Sequence, residues 1–239
     1  MRPVVRGDCP KDVKNENVRF ASYAQARGEL IKRMGEFCSY CEMHLDSSLA
    51  VEHVQPKKPD GALTEMEDRA LDWNNFLLAC TNCNSTKGNT DVILEDYFWP
   101  DRDNTFHLFR YSEGGVIFPA IHLSDTEKLK ANKTILLTGL DKRPLNNPEA
   151  SDRRWQNRRE TWDIAVRSKS RLAKNNCQEM REQILETATG HAYWSIWMTV
   201  FEDDPDMRCR FIDAFPGTDR TCFDTAKNYA SVVGRGIKR

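Results

Sequence analysis

Two cysteine pairs constrain this chain more than any other feature of its sequence. Cys38 and Cys41 form one Cys-x-x-Cys pair, and Cys80 and Cys83 form a second. Together they supply four thiolates, which is the donor set of a closed tetrahedral zinc site. Closing so long a loop costs chain entropy, and structural zinc contributes about 10–16 kcal/mol in small model domains, enough to offset that cost. The sequence therefore predicts structural zinc; the alternatives are two coincidental pairs or a redox pair in one of them.

The bulk composition indicates a folded chain of the ordinary kind. It has 239 residues, of which 39% are apolar, and this is enough for a sizeable core. No apolar run reaches the roughly 18 residues of a membrane helix, and the first ten residues lack the apolar stretch of a secretory signal. We therefore expect a cytoplasmic protein with no membrane contact, whose paired cysteines bind metal rather than form disulfides.

The charges are distributed unevenly along the chain. The formal net charge is only −1, which argues against a strongly basic nucleic-acid binder. Residues 151–174 nevertheless hold eight Lys and Arg against three acids, and residues 227–239 hold four and no acid. Such segments fit local contact with phosphates, and they fit solvated helix faces equally well.

The hydrophobic pattern of the first half predicts a mixture of helix and strand. Apolar residues at helical spacing predict a helix from about Phe20 to Gly35, which delivers the chain to the first cysteine pair. The short apolar run 49–54 predicts a strand. The runs 106–111 and 116–118 flank Gly114-Gly115 and predict a hairpin.

The pattern of the second half predicts mainly helices. Ser124 and Glu127 match a capping box that begins a helix ending near Thr138, with Gly139 as its stop. Further helices are predicted over residues 151–189, 191–201 and 206–214. Five aromatic residues of these helices are interpreted as core, with a partner-binding face as the alternative: Trp155, Trp162, Trp194, Trp197 and Phe201.

Polar residues of the kinds used in catalysis and metal binding lie between and beside the cysteine pairs. Glu52 and His53 stand together in the predicted strand and are followed by Val-Gln-Pro-Lys. An acid beside a histidine means little alone, because most histidines are solvated or belong to the core. Here Asn75-Phe-Leu-Leu precedes the second pair, and Asn84 and Lys87 follow it.

In combination these motifs resemble the HNH (ββα-metal) endonucleases, in the subgroup held by two zinc knuckles. The segment Val51-Glu52-His53-Val54-x-Pro-Lys is similar to the acid–histidine motif of that family. Asn75-Phe-Leu-Leu is similar to its middle motif, and Cys80-x-x-Cys83-Asn84 to its closing motif. The resemblance implies an α+β fold with a zinc-stapled ββα core, an N-terminal helix and a mainly helical C-terminal half.

The resemblance also implies roles for the polar residues. His53 is expected to be the general base, since neutral imidazole has a pKa near operating pH. Glu52 and Asn84 are expected to hold one Mg²⁺ or Mn²⁺ ion, because both offer oxygen donors where other members carry Asp or His. Asn75 is expected to orient His53 or its loop, with Asn74 as the neighbouring alternative. Lys87 is either a phosphate contact or a surface lysine.

Beyond the core, the segment Phe98–Thr105 and the later Arg-rich helix are similar to the PtuB-type HNH proteins. These are the nuclease component of Septu anti-phage (antiviral) defence systems and are also attached to retrons. The resemblance implies a PtuA-type ATPase partner and cleavage of nucleic acid, DNA or RNA. The chain has no G-x-x-x-x-G-K-[ST] phosphate loop of its own. A free-standing restriction-type HNH enzyme and a non-catalytic zinc module that binds nucleic acid are the alternatives.

We therefore expect two regions in this chain. Residues 1–123 are predicted to form an HNH nuclease domain with structural zinc. Residues 124–239 are predicted to form a helical region that contacts a partner or nucleic acid. The basic, glycine-containing tail 234–239 is expected to be frayed.

Overall fold

The computed structural model describes residues 1–143 and 152–232. The α-helices of these ranges are α1 (Arg27–Met34), α2 (Glu67–Ala70), α3 (Thr81–Lys87), α4 (Thr105–Leu108), α5 (Asp125–Thr138), α6 (Arg154–Lys174), α7 (Gln178–His191), α8 (Trp194–Val200) and α9 (Pro205–Ala214). The strands pair antiparallel in three two-stranded sheets: β1 (Ala50–His53) with β2 (Phe76–Ala79), β3 (Phe109–Ser112) with β4 (Val116–Pro119), and β5 (Phe223–Asp224) with β6 (Ala230–Ser231). The predicted α+β class and the mainly helical second half are confirmed.

Short 3-10 helices complete the regular structure, at Tyr23–Ala26, Trp73–Asn75, Leu94–Asp96, Arg220–Cys222 and Thr225–Lys227. In the described ranges, each helix is too short or too polar to cross a membrane.

The N-terminal helix enters the first cysteine pair as predicted, although it is shorter than predicted. A 3-10 turn at Tyr23–Ala26 leads directly into α1, whose inner face buries Leu30 and Met34. Gly35 ends the helix with φ +76°, a left-handed conformation that glycine adopts without steric penalty.

The segment between the cysteine pairs folds as a hairpin followed by a helix. In the β1–β2 register, Glu52 lies opposite Leu77 and His53 opposite Phe76. All four residues of β2 are buried, so this hairpin lies inside the core rather than on the surface. Helix α3 follows β2 at once, with Cys80 as its N-cap. The predicted ββα order is therefore present.

Local signals in the middle of the chain are largely confirmed. The Ser124 hydroxyl accepts from the Glu127 amide, and the Glu127 carboxylate accepts from the Ser124 amide, which completes the predicted capping box. Gly139 closes α5 in the left-handed conformation. The β3–β4 hairpin turns at the predicted glycines, but residues 106–108 belong to α4 rather than to its first strand.

The prediction of one long helix over 151–189 is wrong in one respect, because the structure has two helices in this range. α6 ends at Lys174, and α7 begins at Gln178 after the short link 175–177. Asn175 and Asn176 lie at the break, and asparagine side chains compete with helical backbone bonds. The Asn176 side chain accepts a hydrogen bond from Arg181, which stabilises the link outside the helical conformation.

The core interpretation of the C-terminal aromatic residues is confirmed for three of them. Trp194, Trp197 and Phe201 are completely buried. Trp155 and Trp162 are half-buried. The continuous apolar core draws members from both predicted regions, 1–123 and 124–239.

The N-terminal segment is fastened to the C-terminal part of the chain. Val4 forms a β-bridge with Thr218, and the Pro3 carbonyl accepts from the Asp219 amide. The Arg2 guanidinium donates to the Met34 carbonyl at 2.8 Å, so the same segment also holds the end of α1. The predicted frayed tail, 234–239, lies outside the described residues.

We predict that Ser124→Ala destabilises the protein by about 1 kcal/mol, because the α5 N-terminus loses its side-chain cap. Chemical denaturation monitored by circular dichroism measures this loss. Ser170→Ala is the matched control, since Ser170 is exposed within α6 and caps nothing. Equal stability changes in the two variants would contradict the capping role.

Candidate metal centre and active site

The two cysteine pairs meet in one buried cluster. The Sγ atoms of Cys38, Cys41, Cys80 and Cys83 all lie within 4.8 Å of one another, and each residue is buried. The Cys41 and Cys80 sulfurs are 3.7 Å apart. Thiolates that share a zinc ion at about 2.3 Å in a tetrahedron lie about 3.8 Å apart. The residues fit a structural zinc ion, and the predicted Cys₄ cluster is confirmed.

The chemistry of these thiols also favours a bound cation. Burial raises the pKa of the Cys41 and Cys83 thiols well above the ordinary value. Four thiolates at this spacing concentrate negative charge in the interior, and a bound zinc ion compensates that charge. The Cys83 backbone amide already donates to Cys80 Sγ at 3.4 Å, which partly stabilises the anionic form.

Glu52 points from β1 toward α3 and is only 3% exposed. Its Oε1 lies 2.9 Å from the Lys87 ammonium. Burial raises the pKa of Glu52, and the nearby positive charge of Lys87 opposes that rise. The carboxylate is thus held inside the ββα unit by an internal ion pair.

Lys87 was interpreted from the sequence as a phosphate contact or a surface lysine, and the structure places it inside the protein. Its side chain is 1% exposed, and its ammonium donates to the His53 carbonyl at 2.7 Å in addition to contacting Glu52. Lys87 is therefore not a surface lysine. Its ammonium has two partners inside the protein, and a phosphate contact stays a prediction.

His53 follows Glu52 in the strand and its side chain has different neighbours, as the alternation of a strand requires. The imidazole packs edge-on against Tyr23 and Phe76, at centroid distances of 5.0 and 5.2 Å. Its Nε2 lies 3.0 Å from the Ala70 carbonyl. Because a carbonyl only accepts, Nε2 carries the proton and the lone pair resides on Nδ1.

The environment keeps this imidazole neutral near pH 7. Burial lowers the pKa of His53 below its ordinary value of 6.5, and the hydrogen bond to Ala70 partly opposes that change. The nearby charges of Lys57 and Lys87 lower it further. A neutral ring with a free Nδ1 is the form that accepts a proton in general base catalysis.

Asn75 fastens the backbone on both sides of His53. Its Oδ1 accepts from the Gln55 amide at 2.7 Å, and its Nδ2 donates to the Gln55 carbonyl at 2.8 Å. The same Nδ2 donates to the Arg69 carbonyl at 2.9 Å, next to the Ala70 carbonyl that holds the ring. Asn74 is exposed, and its backbone amide donates to Asp72 Oδ1 at 2.9 Å.

Asn84 lies in α3, directly after Cys83 and one helical turn before Lys87. It is half-buried, and its side chain makes no hydrogen bond to any described residue. Apart from the cysteine cluster, the described residues contain no group of three His, Cys, Asp or Glu side chains placed to share a metal ion. Glu52 and Asn84 offer hard oxygen donors, the kind that suits Mg²⁺, which usually keeps several of its waters.

Some residues of this site were missed in the sequence. The Arg69 and Ala70 carbonyls hold Asn75 and His53, and main-chain groups leave no signal in a sequence pattern. Tyr23 was assigned to the N-terminal helix, with no indication that its ring contacts His53.

Comparison with known proteins agrees with this geometry. Residues 38–90, which include both cysteine pairs and the polar residues between them, match the family model described as HNH endonuclease. This match supports a nuclease-type function for the segment. Among curated proteins, none matches the chain.

We predict that Lys87→Met destabilises the protein by about 3–5 kcal/mol, because it leaves the buried Glu52 carboxylate without a partner. Lys57→Met is the matched control. Lys57 pairs with Glu65 at 2.7 Å, but both side chains are substantially exposed, so its loss costs at most about 1 kcal/mol.

Urea denaturation of the two variants measures the difference. Adding Glu52→Gln to Lys87→Met should recover part of the lost stability, since the unpaired charge is then gone. Similar losses for both lysine variants, or no recovery in the double variant, would contradict the buried ion pair.

Proposed function

We propose that this protein is a metal-dependent HNH endonuclease that hydrolyses phosphodiester bonds of nucleic acid, DNA or RNA. The observation that carries the proposal is the state of His53. Its Nε2 is fixed on the Ala70 carbonyl, its Nδ1 hydrogen-bonds to none of the described residues, and burial lowers its pKa, which favours the neutral ring. The match of residues 38–90 to HNH endonuclease supports the same reaction class.

In the proposed reaction, His53 Nδ1 accepts a proton from the water that attacks phosphorus. Such general base catalysis contributes about 10²–10⁴-fold to the rate. Asn75 acts through His53, because it binds the backbone of Gln55, two residues after the histidine, and that of Arg69, next to the Ala70 carbonyl that contacts its ring. The zinc cluster supports the site by anchoring β2 and α3, and it takes no part in the chemistry.

Glu52 and Asn84 are proposed to hold Mg²⁺ or Mn²⁺, which supplies Lewis acidity for the phosphate and the leaving oxygen. Glu52 faces α3, the helix that carries Asn84, and His53 has other neighbours. The scissile phosphate is therefore proposed to lie across the C-terminal end of β1. There it contacts the base from one side and the oxygen ligands from the other.

The biological setting is proposed from the similarity to PtuB-type proteins. In that setting the chain is the cytoplasmic effector of an anti-phage system and acts with a PtuA-type ATPase. The region 124–239 is proposed to contact the partner or the nucleic acid. Its exposed basic residues on α6, such as Arg159, Arg167 and Arg171, suit phosphate contact. A free-standing nuclease would instead cut without any ATPase.

A second candidate function is a zinc module that binds nucleic acid without cleaving it. The burial of Glu52 against Lys87 favours this candidate, because the carboxylate already has a cationic partner. It predicts that Glu52→Ala and His53→Ala leave binding unchanged, and that wild type does not cleave in either metal.

We predict that His53→Ala lowers the cleavage rate in Mg²⁺ or Mn²⁺ by about 10²–10⁴-fold with the fold intact. The assay measures cleavage of plasmid DNA and of RNA, with and without the ATPase partner. Wild-type cleavage should fall as pH drops through the pKa of His53, which burial places below 6.5. The neutral base should therefore persist to a lower pH than an ordinary histidine allows.

The residual cleavage rate of His53→Ala should not show this fall at low pH, because the titrating imidazole is absent. Equal cleavage by wild type and His53→Ala would show that another group is the base. Absence of cleavage by wild type under every condition, with retained binding, would favour the silent zinc module.

We predict that Asn75→Ala lowers cleavage at least tenfold, because Gln55 and Arg69 lose the side chain that fixes them around His53. The matched control is Asn74→Ala, whose side chain is exposed. The measurement is the single-turnover rate at saturating Mg²⁺. A larger loss in Asn74→Ala than in Asn75→Ala would reverse the assignment of the middle asparagine.

A further inference from the structure

Two arginines of the basic segment 151–174 are not on the surface. Arg154 and Arg158, near the start of α6, are 2% and 1% exposed. The expectation that this whole segment is a solvated or phosphate-binding face is therefore wrong for these two side chains. Each guanidinium is used inside the protein, and Arg154 reaches the cysteine cluster.

Arg154 contacts a cysteine of the predicted zinc site directly. Its Nη1 donates to Cys83 Sγ at 2.8 Å, across 71 positions of sequence. A cationic donor this close favours the thiolate, and a Cys₄ zinc centre carries a net charge of −2. Arg158 lies one turn further along α6, and its positive charge acts on Cys41.

The Arg154 guanidinium is fixed by its other hydrogen bonds. Nη1 also donates to the Thr138 carbonyl at 2.9 Å, and Nη2 donates to the Gly139 carbonyl at 3.0 Å. Both carbonyls belong to the C-terminal end of α5, where partial negative charge accumulates. Nε and Nη2 bind the Asp152 carboxylate. The planar fork therefore has one available orientation, with Nη1 on the sulfur.

The same part of the chain also holds α3 at two other points. Lys142 Nζ donates to Thr86 Oγ1 at 3.0 Å, and Asn82 Nδ2 donates to Asp152 Oδ1 at 3.3 Å. Asn84, the proposed metal ligand, lies between Asn82 and Thr86 in the sequence of the same helix. The outer side of α3 is thus fixed by residues that flank α5 and α6.

We propose that Arg154 is a positioning residue of the zinc centre. Arg154 belongs to the C-terminal half of the chain and hydrogen-bonds to the Cys83 thiolate, a ligand of the predicted zinc ion. Through Cys83 it also fixes the position of α3 and of Asn84. Outer hydrogen bonds of this kind orient ligands and tune the metal, and their loss lowers metal affinity by about 10–100-fold. The zinc part of the proposal is independent of the nuclease reaction, and only the effect on Asn84 rests on it.

The test compares Arg154→Met, Arg154→Lys and the matched control Arg167→Met, which removes an exposed arginine of the same helix. The first measurement is zinc affinity by competition with a chromogenic chelator. The second is the absorption of the cobalt-substituted protein, in which the thiolate-to-metal band reports the charge on sulfur. The third is the Mn²⁺ concentration that half-saturates cleavage.

For Arg154→Met we expect zinc affinity to fall by about 10–100-fold and the thiolate-to-cobalt band to move to longer wavelength. Arg154→Lys should restore the band position in part, since an ammonium still donates to sulfur but cannot hold both α5 carbonyls. Arg167→Met should match wild type in zinc affinity and in band position. The half-saturating Mn²⁺ concentration should rise in Arg154→Met, because α3 and Asn84 lose the contact that positions them.

An unshifted band together with wild-type zinc affinity in Arg154→Met would overturn the proposal. If Arg154→Met does not fold, Arg154→Gln takes its place, since it removes the positive charge and keeps a polar side chain, and a wild-type band and affinity in Arg154→Gln would overturn the proposal. Wild-type protein that binds zinc but never cleaves nucleic acid would contradict the nuclease function. The zinc affinity and the cobalt band would then still decide whether Arg154 positions the zinc centre. Wild-type protein with no bound zinc would contradict the centre itself.

Discussion

The rest of the structure depends on the meeting of four cysteines from two distant segments. Cys38 and Cys41 follow α1, and Cys80 and Cys83 join β2 to α3. In the unfolded chain, bringing four such thiols together carries a loop-closure cost that increases with separation. Once a cation binds them, the end of β2 and the first turn of α3 are held together, and β1 is held by pairing with β2. This rigid frame fixes the positions of the polar residues.

On that frame, two neighbouring residues of β1 differ in charge: Glu52 is a carboxylate paired with a cation, and His53 is a neutral imidazole. Glu52 is directed to α3, where Lys87 compensates its buried charge. His53 is directed to Tyr23 and the Ala70 carbonyl, where burial keeps it neutral. Asn75 connects the two backbone segments that surround the histidine. A base with a fixed tautomer and nearby oxygen donors is what phosphodiester hydrolysis requires, and this arrangement supports the proposed nuclease function.

Local sequence signals carried much of this architecture. The cysteine pairs, the Ser124–Glu127 capping box and the Gly139 stop each involve residues close in the chain, so short-range rules predict them. The position of Lys87 was not predictable, because its motif is equally compatible with an exposed side chain. The contact of Arg154 with Cys83 was hidden within an apparently solvated basic segment, since only tertiary packing turns that arginine inward. The break at Asn175 was obscured by apolar periodicity that continues through it.

The central claim is that the zinc centre joins the ββα unit to the start of α6. Hydrogen–deuterium exchange of the zinc-loaded protein, before and after zinc removal by a chelator, tests it most directly. We predict that zinc removal accelerates exchange in residues 76–88 and also in residues 154–160, with a smaller change in α9. Accelerated exchange in residues 76–88 alone, with α6 unaffected, would contradict it.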